Sequence, residues 1–265
     1  MIILITLDLI YLKKIKEEKV VEKVKNEIVV IENPKSPDAE MFRNLRTNIQ
    51  FMNADSDKKV ILITSTAPSE GKSYVTANLA TAFAQIDKKV LIVDADMRKG
   101  RQYSLFNLNP KPGLSNFLSG VVEKSFTENK DNINNFIQET NIDNLFILVA
   151  GSVPPNPSEL LVSQKMNYII NDLKKEFDII LFDAPPCLIV ADALMIARLV
   201  DFSILVTAQY ITRMEDLVKA KSTIENVGGK VAGVVLNKVQ ITSKRYENTY
   251  YYGEKITSYK PKQRK

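Results

Sequence analysis

VILITSTAPSEGKS, residues 60–73, joins an apolar run to a polar loop that ends in Gly-Lys-Ser. The run VILIT has the β-branched composition of a buried strand, and a helix is expected to begin near Lys72. A loop between a strand and a helix, with Gly71 and Lys72 near its end, is the context of a phosphate-binding P-loop. Thr66 stands where the usual pattern has its first glycine, so the loop alone leaves a plain surface turn as the alternative.

In a P-loop, backbone N–H groups of the turn and of the helix N-terminus point at the phosphates. Gly71 would allow close approach, Lys72 would place a positive charge near the β- and γ-phosphates, and Ser73 would bind Mg²⁺. An amide at Asn237 could read the adenine edge, although asparagine at a strand end is also a common turn residue. The residues expected to contact the nucleotide are Ala67, Pro68, Ser69, Glu70, Gly71, Lys72, Ser73, Tyr74 and Asn237.

Apolar runs alternate with amphipathic stretches from Lys59 onward. The predicted strands are VILIT (60–64), VLIVDAD (90–96), LFILVA (145–150), IILFDAPP (179–186), FSILVT (202–207) and VAGVVLN (231–237). Helices are predicted after Gly71, from Arg213, and from Ser158, which would cap the end of the rigid loop in GSVPPNPSELL (151–161). Continuous β-branched strands separated by helices indicate a mostly parallel sheet covered by helices on both faces, so the predicted fold class is α/β.

A further helix is predicted upstream of this region. Ser36 followed by Pro37 is typical of an N-cap and a first helical residue. Apolar residues then recur at helical spacing, at Phe42, Leu45, Ile49 and Met52. The preceding segment EIVVIE, which starts at Glu27, has the composition of a strand.

Three aspartates come at the ends of two predicted strands. Asp183 ends the apolar part of IILFDAPP, and Asp94 and Asp96 end VLIVDAD. Any one of them could be a helix cap or a turn former, but a P-loop needs a neighbouring carboxylate to hold the water shell of its metal. Predicted metal-binding residues are Ser73, Asp96 and Asp183.

A hydroxyl group that attacks a γ-phosphoryl group must be positioned and finally deprotonated, and this chain has no histidine to do so. A carboxylate is the remaining candidate. We prefer Asp94 as the base and Asp96 as a metal or structural partner, but the spacing also permits the reverse order. The predicted catalytic residues are Lys72, Asp94 and Asp96.

Composition excludes several other classes of protein. The chain has 265 residues, and its 45% hydrophobic content is enough for a sizeable core. One cysteine and no histidine exclude a disulfide framework, a cysteine-rich zinc site and a Ser-His or Cys-His catalytic pair. Much of the net charge of +5 lies near the two ends, so the central region is not obviously basic.

The first residues, MIILITLDLIYLKK, form an apolar run shorter than the roughly 20 residues that a membrane-spanning helix needs. Three interpretations are open: the cytoplasmic end of a transmembrane helix whose beginning is missing, an amphipathic segment on a membrane surface, or a strand or helix packed on the core. The charge-rich residues 13–25 that follow are typical of a helix or a solvated linker.

After Val239 the aliphatic pattern stops, as expected of a flexible tail. Half of the 10 tyrosines lie here among Asn, Thr, Gly, Lys and Glu, where their hydroxyl groups are expected to be accessible. They are Tyr246, Tyr250, Tyr251, Tyr252 and Tyr259. These tyrosines are candidate phosphate acceptors; a sticky aromatic segment and a tail that stacks on nucleic acid are the alternatives.

From about Pro34 to Tyr259, the sequence resembles the bacterial tyrosine kinases, or BY-kinases, of capsular and extracellular polysaccharide synthesis. The resemblance rests on STAPSEGKS as the Walker A loop, VDADMR as the additional Walker A′ motif, ILFDAPP as Walker B, PPNPSELL and the terminal tyrosines. Glu40, Arg43 and Arg46 match the ExxRxxR pattern of that family, which in relatives mediates packing of subunits into a ring. Alone, this pattern would indicate only a solvated helix face.

The resemblance implies a P-loop NTPase fold that uses ATP and Mg²⁺ to phosphorylate tail tyrosines of a neighbouring subunit. It implies a homo-oligomeric ring that loosens when phosphates repel one another. The other implied partners are a membrane-bound polysaccharide chain-length regulator, acting as activator, and a cognate tyrosine phosphatase; nucleic acid is not among them. The implied location is the cytoplasmic face of the inner or plasma membrane.

On this basis we expect an activator-like juxtamembrane segment at 1–33, a P-loop kinase domain at 34–240 and a flexible tyrosine-rich tail at 241–265. Two other functions remain open. A partitioning or septum-positioning ATPase would hydrolyse ATP with water, but such proteins carry a lysine early in the loop, where this chain has Ala67. A non-catalytic adaptor of an export complex would bind ATP, and another kinase would phosphorylate its tyrosines.

Overall fold

The computed structural model describes residues 4–8, 28–52, 60–122 and 126–239. Within these ranges the strands are β1 (Leu4–Asp8), β2 (Val60–Ser65), β3 (Val90–Asp94), β4 (Ile137–Glu139), β5 (Leu145–Leu148), β6 (Ile179–Asp183), β7 (Phe202–Ala208) and β8 (Val231–Val239). The α-helices are α1 (Val29–Glu32), α2 (Pro37–Met52), α3 (Lys72–Ala84), α4 (Gln102–Leu105), α5 (Leu114–Ser119), α6 (Pro157–Leu161), α7 (Gln164–Glu176), α8 (Asp192–Ala197) and α9 (Met214–Asn226). A 3-10 helix spans Ile133–Phe136.

The strands form a single sheet in the order β1-β8-β7-β2-β6-β3-β5-β4. Neighbouring strands are parallel except β4 and β5, which are antiparallel. The predicted α/β fold with a mostly parallel sheet is therefore confirmed. The six strands predicted from residue 60 onward are all present, whereas the short edge strand β4 was not predicted.

Helices cover both faces of the sheet because alternate residues of a strand point to opposite faces. In β2, Val60 and Leu62 pack in an apolar cluster with residues of α5, α7, α8 and α9. Ile61 and Ile63 pack in a second cluster with residues of α2 and α3. Since all of β2 is buried, its sequence is continuously apolar rather than alternating.

Helix α3 is buried almost all round, with 11 of its 13 residues buried. It lies between the sheet and α2, where it contacts β3 and β6. Small residues such as Ala77 and Ala80 allow this close packing. Because α3 begins directly after the P-loop, its packing fixes the N-terminus of the helix beside the carboxyl end of β2.

The helix predicted at Ser36-Pro37 is confirmed as α2. The backbone N–H of Ala39 donates to Ser36 Oγ at 3.1 Å, as expected of an N-cap. The predicted apolar stripe faces the core, apart from Met52 at the end of the helix, which is 36% exposed.

The prediction of a strand at EIVVIE is wrong, because Val29–Glu32 form the short helix α1. Val30 is fully buried, and its N–H donates to the side-chain oxygen of Asn78 in α3 at 3.2 Å. The N–H groups of residues 31 and 32 both donate to the carbonyl oxygen of Ile28. One helical turn thus satisfies the backbone, and the periodicity of so short an apolar run cannot distinguish it from a strand.

The two ends of the chain are described only in part. Leu4–Asp8 form an edge strand parallel to β8, which matches the strand alternative for these five residues. The charge-rich residues 13–25 and the tail after Val239 lie outside the described residues. No helix within the described ranges is long and apolar enough to cross a bilayer.

Candidate active site

The strand order brings the predicted motifs to one edge of the sheet. β6 ends at Asp183 and lies between β2, which leads into the P-loop, and β3, which ends at Asp94. Asp183 is the register partner of Ile63 on one side and of Asp94 on the other. The loop and the aspartates therefore meet at the carboxyl edge, where ligands of open α/β sheets bind.

The loop between β2 and α3 has the backbone of an anion-binding turn. Ser69 and Gly71 have φ angles of +64° and +94°, in the left-handed region. Left-handed residues in such turns direct backbone N–H groups into a concave anion site. A Cβ atom at residue 71 would lie 2.0 Å from Nδ2 of Asn237, so this position requires glycine.

Glu70 stabilises this loop from within, a role that the sequence pattern does not indicate. Its buried carboxylate accepts hydrogen bonds from Thr66 N–H at 2.7 Å, Thr66 Oγ1 at 2.9 Å and Ala67 N–H at 2.9 Å. Thr212, which lies between β7 and α9, donates its hydroxyl to the same carboxylate. Thr66 replaces the usual glycine here because both its backbone and its hydroxyl bind Glu70. The Glu70 side chain thus shapes the loop and is directed away from the phosphate position.

The end of β8 supports the loop from the other side. The Asn237 side-chain N–H donates to the carbonyl oxygen of Glu70 at 2.9 Å, and Lys238 Nζ donates to the carbonyl oxygen of Ser69 at 2.7 Å. Asn237 is buried, and its Oδ1 has no partner among the described residues. One N–H of the Asn237 amide binds the loop, so the predicted adenine contact would use Oδ1 or the second N–H.

Lys72 lies at the centre of the site. Its Nζ is 3.1 Å from Asp96 Oδ2, 3.2 Å from Asp183 Oδ1 and 3.4 Å from Ser73 Oγ. Burial by itself would lower the pKa of Lys72, but the carboxylates of Asp183, Asp96 and Asp94 outweigh it and raise the pKa above its ordinary value. The predicted lysine, hydroxyl and two of the predicted carboxylates thus converge on one point.

Asp94 differs from the other two aspartates in its partners, since Lys72 pairs with Asp96 and Asp183 whereas the hydrogen bonds described for Asp94 come from backbone N–H groups. It is fully buried, and its carboxylate accepts hydrogen bonds from the backbone N–H of Gln102 at 3.0 Å and of Asp96 at 3.3 Å. Burial, followed by the negative charge of Asp183, raises the pKa of Asp94 to about 8. The surroundings of Asp94 therefore favour the neutral form of its carboxyl group.

Gln102, the first residue of α4, also belongs to the site, although no sequence motif singled it out. It is fully buried, and its Nε2 donates to Asp183 Oδ2 at 2.8 Å and to the carbonyl oxygen of Ser73 at 3.2 Å. Through these two bonds and the backbone bond to Asp94, Gln102 contacts all three segments that carry the predicted motifs.

An ion pair holds the loop after β3 against the segment after β6. Arg98 donates from Nε to Asp192 at 3.0 Å, and Asp192 is fully buried at the start of α8. Ser158 Oγ donates to the same carboxylate at 2.5 Å. The prediction that Ser158 caps a helix is wrong: Asn156 precedes α6, and the Ser158 hydroxyl instead binds a neighbouring element.

The donor set fits Mg²⁺. Two carboxylates and a hydroxyl already surround the positive charge of Lys72, and oxygen donors are the ligands that Mg²⁺ prefers. Among the described residues, no three Asp, Glu or Cys side chains form a group that could hold a metal by themselves. This agrees with the usual protein magnesium site, in which one or two carboxylates act together with substrate phosphates and water.

Other predicted residues lie away from this cluster. The ring of Tyr74 packs edge-on against Phe42 of α2 with centroids 5.7 Å apart, so its side chain faces α2 rather than the loop. Pro68 and Ser69 are exposed on the rim of the loop. The five tail tyrosines lie outside the described residues.

The residues of the ExxRxxR pattern lie on α2. Arg43 pairs with Glu40 at 2.8 Å and donates to the carbonyl oxygen of Pro34 at 2.6 Å. Arg46 donates to the carbonyl oxygen of Ala82 at 3.0 Å, near the C-terminus of α3 and therefore at the end opposite to Lys72. Both arginines thus have contacts within the subunit, whereas the side chain of Glu40 is 55% exposed.

Comparison with known proteins places these features among kinases. A family model described as an AAA domain matches residues 58–231. Putative tyrosine-protein kinase CapB of Staphylococcus aureus is 42% identical over 227 residues, which cover 86% of this chain and 95% of that protein. Tyrosine-protein kinase YwqD of Bacillus subtilis (strain 168) is 36% identical over 233 residues, which cover 88% of this chain and 94% of that protein. The kinase domain of the Escherichia coli tyrosine kinase ETK matches in structure with a TM-score of 0.77 at 29% identity, over 90% of each chain.

Proposed function

Because this chain belongs to the bacterial tyrosine-protein kinase family and is a protein-tyrosine kinase, we propose that it transfers the γ-phosphoryl group of ATP to the tail tyrosines of a neighbouring subunit. The observation that carries this proposal is the position of Lys72, whose ammonium group lies within 3.2 Å of two carboxylates beside the P-loop. Phosphoryl transfer depends mainly on such positioning and electrostatic stabilisation.

The starting point of the tail supports tyrosines as acceptors. β8 ends at Val239, one residue after Lys238, whose ammonium group contacts the P-loop residue Ser69. The tail therefore begins at the same sheet edge as the P-loop. A segment that leaves each subunit at this edge is well placed to reach the corresponding edge of a neighbour in an oligomer.

The residues of the site have distinct roles in this proposal. Mg²⁺, when bound, would neutralise charge that develops on the transferred phosphoryl group. Ser73 and Asp183, together with Asp96, would hold it. The N–H groups of the P-loop and Lys72 would orient the β- and γ-phosphates, while Glu70 keeps the loop in shape.

In the transfer step, the tyrosine oxygen forms a bond to the γ-phosphorus, and the bond between that phosphorus and the β–γ bridging oxygen breaks. ADP leaves with the electron pair, and the tyrosine proton passes to a carboxylate. We assign this last role to Asp96 rather than Asp94. The hydrogen bonds described for the Asp94 carboxylate come from backbone N–H groups, whereas Asp96 pairs with Lys72, the lysine expected to contact the γ-phosphate.

Assembly and regulation extend the same proposal. Glu40 and Arg43 would contact the next subunit of a ring, while Arg46 anchors α2 to α3. Residues 34–240 would form the kinase domain. Residues 1–33 would be the activator-like segment, which either corresponds to the cytoplasmic tail of a membrane-bound polysaccharide chain-length regulator or works together with that tail. The kinase would then work at the cytoplasmic face of the membrane in capsular or extracellular polysaccharide synthesis and export, and a cognate phosphatase would reverse its action.

The test is phosphate mapping by mass spectrometry after incubation of the purified full chain with Mg-ATP. Phosphotyrosine is expected within residues 246–259, and it should disappear in Lys72→Met and when the five tail tyrosines become phenylalanine. Lys175→Met is a matched control, because Lys175 is a surface lysine whose ion pair within the described part of the chain is with nearby Asp172. This control should phosphorylate its tail normally.

Two other outcomes would contradict the proposal. Release of inorganic phosphate without phosphotyrosine would indicate the partitioning-type ATPase. Binding of ATP with neither hydrolysis nor transfer would indicate the adaptor.

A further inference from the structure

Gln102 joins all three motif segments at a single point. Its backbone N–H binds Asp94 at 3.0 Å, and its side-chain Nε2 binds both Asp183 at 2.8 Å and the carbonyl oxygen of Ser73 at 3.2 Å. The residue is fully buried. A glutamine that merely filled the core would not need to contact the loop, the strand end and the metal-binding carboxylate together.

The orientation of the Gln102 amide follows from its partners. The carbonyl oxygen of Ser73 and the carboxylate of Asp183 are both acceptors, so the atom between them must be the nitrogen. The side-chain oxygen Oε1 then faces away from both, and it has no donor among the described residues. Burying an acceptor without a partner is unfavourable, so Oε1 is available to accept a hydrogen bond from a bound ligand or its water.

We propose that Gln102 is a positioning residue for the magnesium site. Its side-chain N–H donates to Asp183 Oδ2, so that Oδ1, which accepts from Lys72, would be the oxygen available to hold the metal. This inference rests on the proposed function, because it requires Mg²⁺ at Ser73, Asp96 and Asp183.

The argument rests on the chemistry of Asp183. A carboxylate that binds a metal or its water must present one oxygen in a fixed direction, and a hydrogen bond to the other oxygen fixes that direction. Residues that orient a metal ligand in this way typically change metal affinity about 10- to 100-fold when they are replaced. Gln102 has this relation to Asp183, although it lies 81 residues away in sequence.

The experiment measures the affinity of the full chain for fluorescent ADP, once with Mg²⁺ and once with EDTA. In Gln102→Met, which keeps the shape but loses both polar atoms, the gain in affinity caused by Mg²⁺ should fall about 10-fold or more. In Gln102→Glu, the acceptor is kept but the donor to Asp183 is lost, so the gain should also fall. The affinity in EDTA should stay within about twofold of the wild type in both variants, because the amide does not bind the phosphates.

Asn78→Leu provides the matched control. Asn78 is another fully buried amide, but it joins α3 to α1 through the N–H of Val30, away from the carboxylates. This control should lower the melting temperature and leave the effect of Mg²⁺ unchanged. The melting temperatures of all variants are measured in EDTA.

Three results would overturn the inference. If Mg²⁺ raises the ADP affinity of both Gln102 variants as much as that of the wild type, Gln102 does not position the metal site. Equal losses of affinity with and without Mg²⁺ would show a purely structural role. A wild type that gains nothing from Mg²⁺ would remove the metal site itself, and with it the proposed mechanism as well as this inference.

Discussion

The ammonium nitrogen of Lys72 lies 3.1 Å from a carboxylate oxygen of Asp96, although Lys72 begins α3 and Asp96 follows β3. The pair exists because α3 packs across the sheet and β3 ends at the same edge as the P-loop. Asp94 lies two residues earlier, and its carboxylate instead accepts hydrogen bonds from the backbone N–H groups of Gln102 and Asp96. We propose that this difference in surroundings gives the two aspartates different roles.

The first prediction concerns these two roles. Asp96→Asn should lower the rate of tail phosphorylation at saturating Mg-ATP by about 100-fold or more, because it removes the proposed proton acceptor and one of the carboxylates proposed to hold Mg²⁺. Asp94→Asn should retain the rate within about tenfold, because an amide resembles the protonated carboxyl group. Phosphotyrosine formation in a quenched time course measures both. A loss confined to Asp94→Asn would reverse the assignment.

The second prediction concerns the loop. Glu70→Gln should weaken ATP affinity about 10-fold, since one amide oxygen cannot accept all the hydrogen bonds that Thr66, Ala67 and Thr212 donate to the carboxylate. The free energy of unfolding should fall by about 1–3 kcal/mol. Glu159→Gln, at an exposed position, should change neither quantity. Unchanged ATP affinity in Glu70→Gln would contradict a role in shaping the loop.

The third prediction concerns the buried carboxylate of Asp192. Asp192→Asn weakens its bonds with Arg98 and Ser158 and should lower the free energy of unfolding by about 1–3 kcal/mol. The effect should stay below that of a fully buried ion pair, because the Arg98 side chain is 42% exposed and partly solvated. Asp172→Asn, which affects a surface pair, should change stability by less than about 0.5 kcal/mol in the same urea titration. Equal effects of the two changes would refute the structural role of Asp192.

The fourth prediction concerns pH. The pKa of Asp94 rises from 3.8 to about 8 on folding, so between these values the folded state binds more protons than the unfolded state. Its contribution to stability is therefore present at low pH and is lost as the pH rises toward 8, by up to about 1.4 kcal/mol per pH unit. Asp94→Asn should remove this slope. Urea unfolding in EDTA between about pH 5 and pH 8 measures the difference, and parallel curves for wild type and variant would contradict it.

Part of the site could be predicted from the sequence because its signals are local. Each of these signals is contained within a few residues: the apolar run before Ser65, the glycine and lysine at the end of the loop, and the aspartates at strand ends. They indicated the α/β fold, the P-loop and Asp183, and the structure brings these together. The segment EIVVIE was misassigned because its conformation depends on a distant residue. The backbone N–H of Val30 donates to the side-chain oxygen of Asn78 in α3.

The sequence by itself determined which strands and loops carry the chemistry, since continuous apolar runs must become buried strands and their polar ends must lie at the sheet edge. Only the tertiary structure decided that β6 lies between β2 and β3, that Thr66 is held by Glu70, that Gln102 binds Asp183 and that Asp94 is enclosed. Each of these depends on the contact of residues distant in the chain. Because burial and hydrogen bonding set the charge of a carboxyl group, the surroundings that distinguish Asp94 from Asp96 come from that packing and not from their spacing in the sequence.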